Sequence, residues 1–287
     1  MKKIKIITDS NSGILQSEAD ELGVFVIPMP FTINDEEYLE EISISQEKFY
    51  EFLAQDADVT TSQPSQFYLE EIWNDLLKNN DELVYIPMTS GLSATCRNAQ
   101  RYAEAFGGKV QVVDNLRISV TMKPTIYEAI ELAKQGKSAK EIKEILENRK
   151  DKHSIYIMVD TMKYLKKGGR VTPAAAALGA MLKLKPILFS RGLNFEKHGV
   201  VMTVAQAKKK MIAQIKRELE TDFSAEYQAG KMVLAIAHTQ NQKEALKFKD
   251  EVLAAIPNVE VRYIDPLSLS VSCHIGPGSL ALAAFAE

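Results

Sequence analysis

The chain has 287 residues, of which 46% are hydrophobic and 25% charged, with a formal net charge of −3. That length allows a large core and exceeds the usual single-domain size, so two packed domains are expected. The nearly balanced charge offers no basic face to a nucleic acid, and no run reaches the roughly 18 apolar residues of a membrane span, so neither partner nor stable membrane insertion is expected.

The segment from Met1 to Asp9 is charged, and its apolar stretch is far too short for a signal peptide. With only Cys96 and Cys273, no disulfide framework is indicated, and a cytoplasmic protein with two unpaired thiols is the simplest expectation. Both cysteines read as small buried hydrophobes.

Short β-branched runs then alternate with longer segments of helical period. Strands are predicted at Ile4 to Thr8, Val24 to Pro28, Leu83 to Pro87, Val110 to Asp114, Ile155 to Val159, Val233 to His238 and Val259 to Ile264. Several end in a polar or turn-forming residue. Between Phe67 and Lys78, Leu69, Ile72, Trp73 and Leu76 recur at i, i+3, i+4 and i+7 and form one apolar helical stripe. Similar helices are predicted from Arg97 to Phe106, Ile118 to Gln135, Ala139 to Arg149, Val204 to Leu219 and Gln242 to Ile256. Strand and helix alternating in this way predict an α/β protein with a mainly parallel sheet, whose ligands bind beyond the carboxyl ends of the strands. The domain change is placed near Asp151 to Thr161, giving an N-terminal α/β domain with the mainly parallel sheet over 1–155 and a second α/β domain over 156–287. Lys208-Lys209-Lys210 lies on a predicted amphipathic helix and reads as a solvated face.

Two loops combine hydroxyl groups with a helix start. In Thr60-Thr61-Ser62-Gln63-Pro64-Ser65, the proline suits a first helical turn. In Met88-Thr89-Ser90-Gly91-Leu92-Ser93-Ala94-Thr95, a buried-type strand runs into a glycine-containing turn and then a helix. Helix N-termini present free N–H groups and partial positive charge, so both loops suit an anion. Plain N-capping is the bland explanation, since Ser and Thr are common caps. Many hydroxyls without the lysine of a phosphate loop favour a singly charged anion such as a carboxylate. Gly91-Leu92-Ser93-Ala94-Thr95 also has the strand–turn–helix context of a hydrolase elbow, without its last glycine, so a serine acyl-hydrolase with Ser93 as nucleophile and His238 or His274 as base is the alternative.

Further along, Lys167-Gly168-Gly169-Arg170 precedes a run of small residues from Ala174, with Leu178, Met181 and Leu182, that can pack against a helix or leave room for an apolar guest. Arg170 can pair with an acidic side chain or a carboxylate. Near the end, Gly276-Pro277-Gly278-Ser279-Leu280-Ala281 superficially matches a dinucleotide fingerprint. Too little chain follows for a βαβ unit, so nucleotide binding there is rejected. His274 is either a structural imidazole or a ligand group. The four histidines are scattered without ligand spacing, and neither metal nor cofactor is expected.

Taken together and in order, Thr8-Asp9-Ser10, Thr61-Ser62-Gln63-Pro64-Ser65, Ser90-Gly91-Leu92-Ser93, Lys167-Gly168-Gly169-Arg170, Lys185-Pro186-Ile187 and His274-Ile275-Gly276-Pro277-Gly278 resemble the DegV family, over about residues 3–285. The resemblance implies two α/β domains with a long-chain fatty acid buried between them. It implies a carrier rather than an enzyme: the fatty-acid-binding subunit of a bacterial fatty acid kinase, presenting the acyl carboxylate to a separate ATP-dependent kinase subunit for phospholipid synthesis. By position, Thr61 and Ser93 would bind the carboxylate, and Ser62, Arg170 and His274 would be polar support. Ala94 and Cys96 stand where the family motif commonly has Gly and Tyr, and lysines follow Ala207 where the family often has arginine.

Overall fold

The structure is a computed structural model that describes residues 2–180 and 184–287. Met181 and Leu182 of the small-residue run lie outside the described residues. The chain divides into two compact units, Met1–Asp151 and Lys152–Glu287.

In the first unit the chain runs β1 (Ile4–Asp9), α1 (Gln16–Leu22), β2 (Phe25–Ile27), β3 (Pro30–Ile33), β4 (Glu36–Leu39), α2 (Gln46–Ala54), β5 (Val59–Thr61) and α3 (Gln66–Leu76). It continues through β6 (Glu82–Ile86), α4 (Thr95–Ala103), β7 (Val110–Val112), α5 (Lys123–Lys134) and α6 (Ala139–Glu147). The predicted strands form one parallel sheet of order β2-β1-β6-β7. Its strands are buried on both faces and so read as continuous apolar runs. Trp73, fully buried on α3, meets Tyr85 of β6 edge-on at 6.1 Å between ring centroids, and Leu69 and Ile72 are buried with it. A separate antiparallel sheet, β4-β3-β5, escapes the sequence reading because its strands are only three or four residues long, too short to show a period.

The second unit runs β8 (His153–Met158), α7 (Lys163–Gly168), α8 (Pro173–Ala176), β9 (Lys185–Ser190), β10 (Glu196–Val201), α9 (Val204–Glu220) and α10 (Ser224–Gln228). Then follow β11 (Met232–His238), α11 (Gln242–Ala255), β12 (Val261–Pro266), α12 (Leu269–Ile275) and β13 (Leu280–Ala286). Its sheet has the order β10-β9-β8-β13-β11-β12, and only β11 and β12 pair in parallel. The mainly parallel sheet thus lies in the first unit, where it was expected. Antiparallel order arises in the second because β10 returns directly on β9, and because β13 enters the middle of the sheet from a glycine turn running against both neighbours. That turn follows a helix and precedes a strand, the reverse of the order a dinucleotide fingerprint needs.

One further correction concerns the lysine run on α9. Lys209 and Lys210 are exposed, but Lys208 is buried and pairs with Glu244 and Glu251 of α11. A buried ammonium needs such partners, and no sequence period could show that α11 supplies them. Nearby, Glu218 of α9 is buried and accepts hydrogen bonds from Ser154 Oγ, Tyr156 Oη and Arg191 Nη2, tying α9 to the sheet.

Candidate functional site

The first hydroxyl loop begins at the end of β5. Thr61 pairs with Phe31, and the Ser62 N–H donates to Pro30 O at 3.2 Å. Ser65 is the N-cap of α3, its hydroxyl accepting from Tyr68 N at 3.2 Å. Pro64 therefore lies just before the cap rather than in the first turn, and capping does not account for Thr61 or Ser62. Thr61 is half-buried and Ser62 exposed.

The second loop, residues 88–95, hangs from the carboxyl end of β6. Thr89 organises it: Thr89 O accepts from the N–H groups of Leu92 and Ser93, and Thr89 Oγ1 accepts from Gly91 N at 3.1 Å. The Thr89 N–H in turn donates to Arg117 O at 3.0 Å, and the Ser90 N–H to Asp114 Oδ1 at 3.3 Å. Ser93 is not itself the cap of α4; that position is Ala94, which makes no side-chain cap bond. Ala94 has φ −74° and ψ −11°, a conformation alanine adopts without strain, so its place in the motif needs no glycine. Ser93 Oγ instead accepts from Thr95 N at 3.2 Å and shares a hydroxyl hydrogen bond with Thr95 Oγ1 at 2.9 Å. If Thr95 donates to Ser93, the Ser93 hydroxyl proton is left to donate to a further acceptor.

The first loop is tied to α4. Asn98 on α4 donates through its side chain to Gln63 Oε1 at 2.8 Å, joining the helix that follows Ser93 to the loop that follows Thr61. Cys96, on the same helix, is fully buried in the sheet core, and burial pushes its thiol pKa well up, as for an inert apolar residue. Cys273 is likewise buried.

Arg170 and His274 are placed by the second unit. Gly169, with φ +68°, ends α7 and turns the chain so that Arg170 Nη1 reaches back to Gly168 O. The backbone beyond is held by Phe195, whose N–H donates to Arg170 O at 2.9 Å. α7 lies against α12 through two glycines. A Cβ on Gly168 would fall 2.1 Å from His274 Nδ1, and a Cβ on Gly276 would fall 2.3 Å from the Tyr164 ring. The imidazole therefore rests on bare backbone beside Arg170. Burial first, and the Arg170 charge second, lower the His274 pKa to about 4, so the ring is neutral at pH 7 and offers one donor and one acceptor. Gly276 also has φ +78°, so Gly276→Ala meets both a strained backbone and an aromatic ring. It is expected to destabilise the second unit by about 2–4 kcal/mol, measured as a lower denaturant midpoint with unchanged slope.

The hydrolase alternative finds no support in the first unit. All four histidines lie beyond Lys152, so the unit that carries Ser93 contains no imidazole. Nor is Ser93 among the residues of positive φ, as a strained nucleophile turn would place it. Among the described residues, no group of three or more His, Cys, Asp or Glu could hold a metal ion, and no helix is long and apolar enough to cross a membrane.

A family model described as "Uncharacterised protein, DegV family" matches residues 3–287. The chain belongs to the DegV family. Protein DegV of Bacillus subtilis is 30% identical over 285 residues, covering 97% of this chain and 98% of that protein. A DegV domain-containing protein of Staphylococcus aureus is 26% identical over 282 residues, 98% of each chain. Among solved DegV structures, one from Thermus thermophilus, described by its fatty acid binding, superposes with a TM-score of 0.87 at 26% identity, covering 99% of this chain and 100% of that one. The structure of Bacillus subtilis DegV, described as a fatty acid binding protein, gives 0.83 at 28% identity over the whole of both chains. The family resemblance and the α/β fold class expected from the motifs are thereby established.

The sequence reading singled out Thr61, Ser62, Ser93, Arg170 and His274 but missed the residues that hold them. Gln63 and Asn98 join the first loop to α4, Thr89 and Thr95 orient Ser93, and Arg117 and Asp114 anchor the second loop from beyond β7. The available signal was a polar residue directly past each strand end, where a parallel sheet places its functional loops.

Proposed function

We propose that this chain binds a long-chain fatty acid, with Thr61 and Ser93 holding the carboxylate and Ser62, Arg170 and His274 as polar support, and presents that carboxylate to a separate ATP-dependent kinase subunit. The observation that carries the reading is the bond from Asn98 to Gln63, which ties the first hydroxyl loop to the helix that follows the second, in a family whose members from Thermus thermophilus and Bacillus subtilis are described as fatty acid binding. The energetics agree. A tail of about 15 methylenes at roughly 0.8 kcal/mol each contributes on the order of 12 kcal/mol before ordering costs. The head group then needs only enough donors to avoid being buried unpaired, which Thr and Ser hydroxyls supply. Hydroxyls also leave a carboxylate oxygen free to attack the γ-phosphorus of ATP on the partner, forming an acyl phosphate as the bond to ADP breaks. ATP, magnesium and catalysis belong to that partner, and this chain acts as a carrier.

Extraction of the purified protein followed by mass spectrometry tests the binding step. A stoichiometric, noncovalent long-chain fatty acid is the expected result. A covalent adduct of Ser93 with an active-site phosphonate would favour the acyl-hydrolase instead. Presentation is tested at Arg170, whose guanidinium sits beside the neutral His274. Arg170→Ala is expected to keep its bound lipid yet fail to support acyl-phosphate formation when the kinase subunit is added. Parallel loss of lipid and phosphorylation would make Arg170 an anchor rather than a presenting group.

A further inference from the structure

Thr8-Asp9-Ser10, at the carboxyl end of the central strand β1, is a family motif to which no ligand role has been given. Its three side chains each make a long-range bond. Thr8 Oγ1 donates to Ile86 O at 2.9 Å, and Ser10 Oγ donates to Glu40 Oε2 at 2.6 Å while accepting from Met29 N at 3.2 Å. Asp9 divides its carboxylate: Oδ1 accepts from Asn11 N at 2.9 Å, and Oδ2 accepts from Met88 N at 2.9 Å. The Asn11 side chain adds a donor to Asp9 and also contacts Met88 Sδ at 3.2 Å.

Asp9 has no exposed surface; burial is the largest influence on its ionisation and raises its pKa, while amide hydrogen bonds from Met88 and Asn11 oppose the rise. A buried carboxylate of this kind costs stability that an apolar side chain would not. What it gains is a rigid acceptor for the first amide of the 88–95 loop. The next residue, Thr89, accepts from the Ser93 N–H, so two hydrogen bonds and one peptide unit separate Asp9 from the hydroxyl assigned to the ligand.

We propose that Asp9 is a positioning residue for carboxylate recognition, fixing Met88 and, through Thr89, the direction of the Ser93 hydroxyl. The inference rests on the reading of Ser93 as a carboxylate ligand. Asparagine at position 9 keeps the shape but presents an NH2 to one of the two amides, leaving a buried donor without an acceptor. The loop then shifts, and the loss falls on the head group rather than the tail.

The test compares hexadecanoic acid with its methyl ester, on delipidated wild-type protein and Asp9→Asn. Asp9→Asn is expected to weaken the acid by about ten- to hundredfold, the span of a buried donor left unpaired, while the ester stays within about twofold. Ser10→Ala cuts the neighbouring bridge to Glu40 and Met29, leaves Met88 held, and is expected to keep the wild-type ratio of acid to ester affinity. Equal losses for acid and ester, or no loss for either, overturn the positioning role, as does a Ser10→Ala ratio shifted as far as that of Asp9→Asn. Wild-type protein that does not distinguish acid from ester overturns the carboxylate reading of Ser93 itself. Should Asp9→Asn fail to fold, hydrogen exchange on wild-type protein decides: the Met88 and Ser93 amides are expected to gain protection together when hexadecanoic acid binds, and a Met88 amide that exchanges like an open loop overturns the proposal.

Discussion

Ser93→Ala and Thr61→Val are each expected to weaken fatty acid binding by about 1.5–3 kcal/mol, the range for a lost hydrogen bond to a charged group. In the proposed site both hydroxyls serve one carboxylate, so their effects need not add. If they do, the double variant loses about 3–6 kcal/mol, on the order of 10² to 10⁴ in affinity. The tail contribution is untouched, so residual binding is expected to survive. The fold should survive, because Ser65 rather than Thr61 caps α3 and the Ser93 backbone bond to Thr89 O remains; Ser93→Ala also removes the acceptor of Thr95 N, a local cost of about 1 kcal/mol. Thr95→Val offers a finer check. It removes the hydroxyl bonded to Ser93 Oγ at 2.9 Å and is expected to produce a smaller loss of the same kind. The measurement is a titration with fatty acid beside circular dichroism. Wild-type affinity in both Ser93→Ala and Thr61→Val, with unchanged spectra, would falsify the assignment.

The second large effect is a pair of opposite pH dependences. Burial raises Asp9 from 3.8 to about 6, against the pull of its amide partners. A folded-state pKa above the unfolded value means that the folded chain holds the proton more tightly. The associated stability is fully present below about pH 4 and is lost as pH rises through 6, amounting to about 3 kcal/mol. Tyr85 and Cys96, which face Asp9 from β6 and α4, are themselves raised by burial and remain neutral in this window. His274 behaves in the reverse sense. Its pKa falls from 6.5 to about 4 by burial and by Arg170, so its contribution of about 3 kcal/mol is present above pH 6.5 and is lost as pH falls through 4.

Comparison with non-titrating variants isolates each group. The stability of wild-type protein relative to Asp9→Asn is expected to fall between pH 4 and 7, and that relative to His274→Gln to rise. Trp73, the chain's single tryptophan, is fully buried in the first unit, so its fluorescence reports unfolding of the body that contains Asp9. Parallel slopes for wild type and Asp9→Asn would show that Asp9 ionises normally.

Periodicity served where one element buries one face. Leu69, Ile72 and Trp73 are packed as their spacing predicted, and the helices over Ala139–Glu147, Val204–Glu220 and Gln242–Ala255 begin at the predicted residues. It failed for Pro30–Ile33, Glu36–Leu39 and Val59–Thr61, which are too short for a period, and for Leu280–Ala286. That last strand is buried on both faces, so its apolar run does not alternate and is as compatible with a helix.

Hydroxyl-rich loops at helix starts, a glycine pair before Arg170 and a histidine in a glycine turn were all visible in the amino-acid order, because they depend on local backbone chemistry. By itself the sequence thus determined which residue types could meet an anion, the family, and the parallel character of the first sheet. Only the tertiary structure decided which of these residues meet. Gln63 reaches Asn98 across 35 positions and Asp9 reaches Met88 across 79, and Lys208 is buried against α11 instead of facing water. Such contacts depend on which strand ends a sheet sets side by side, and strand order is fixed by the joint burial of apolar faces from distant segments, which no local pattern encodes.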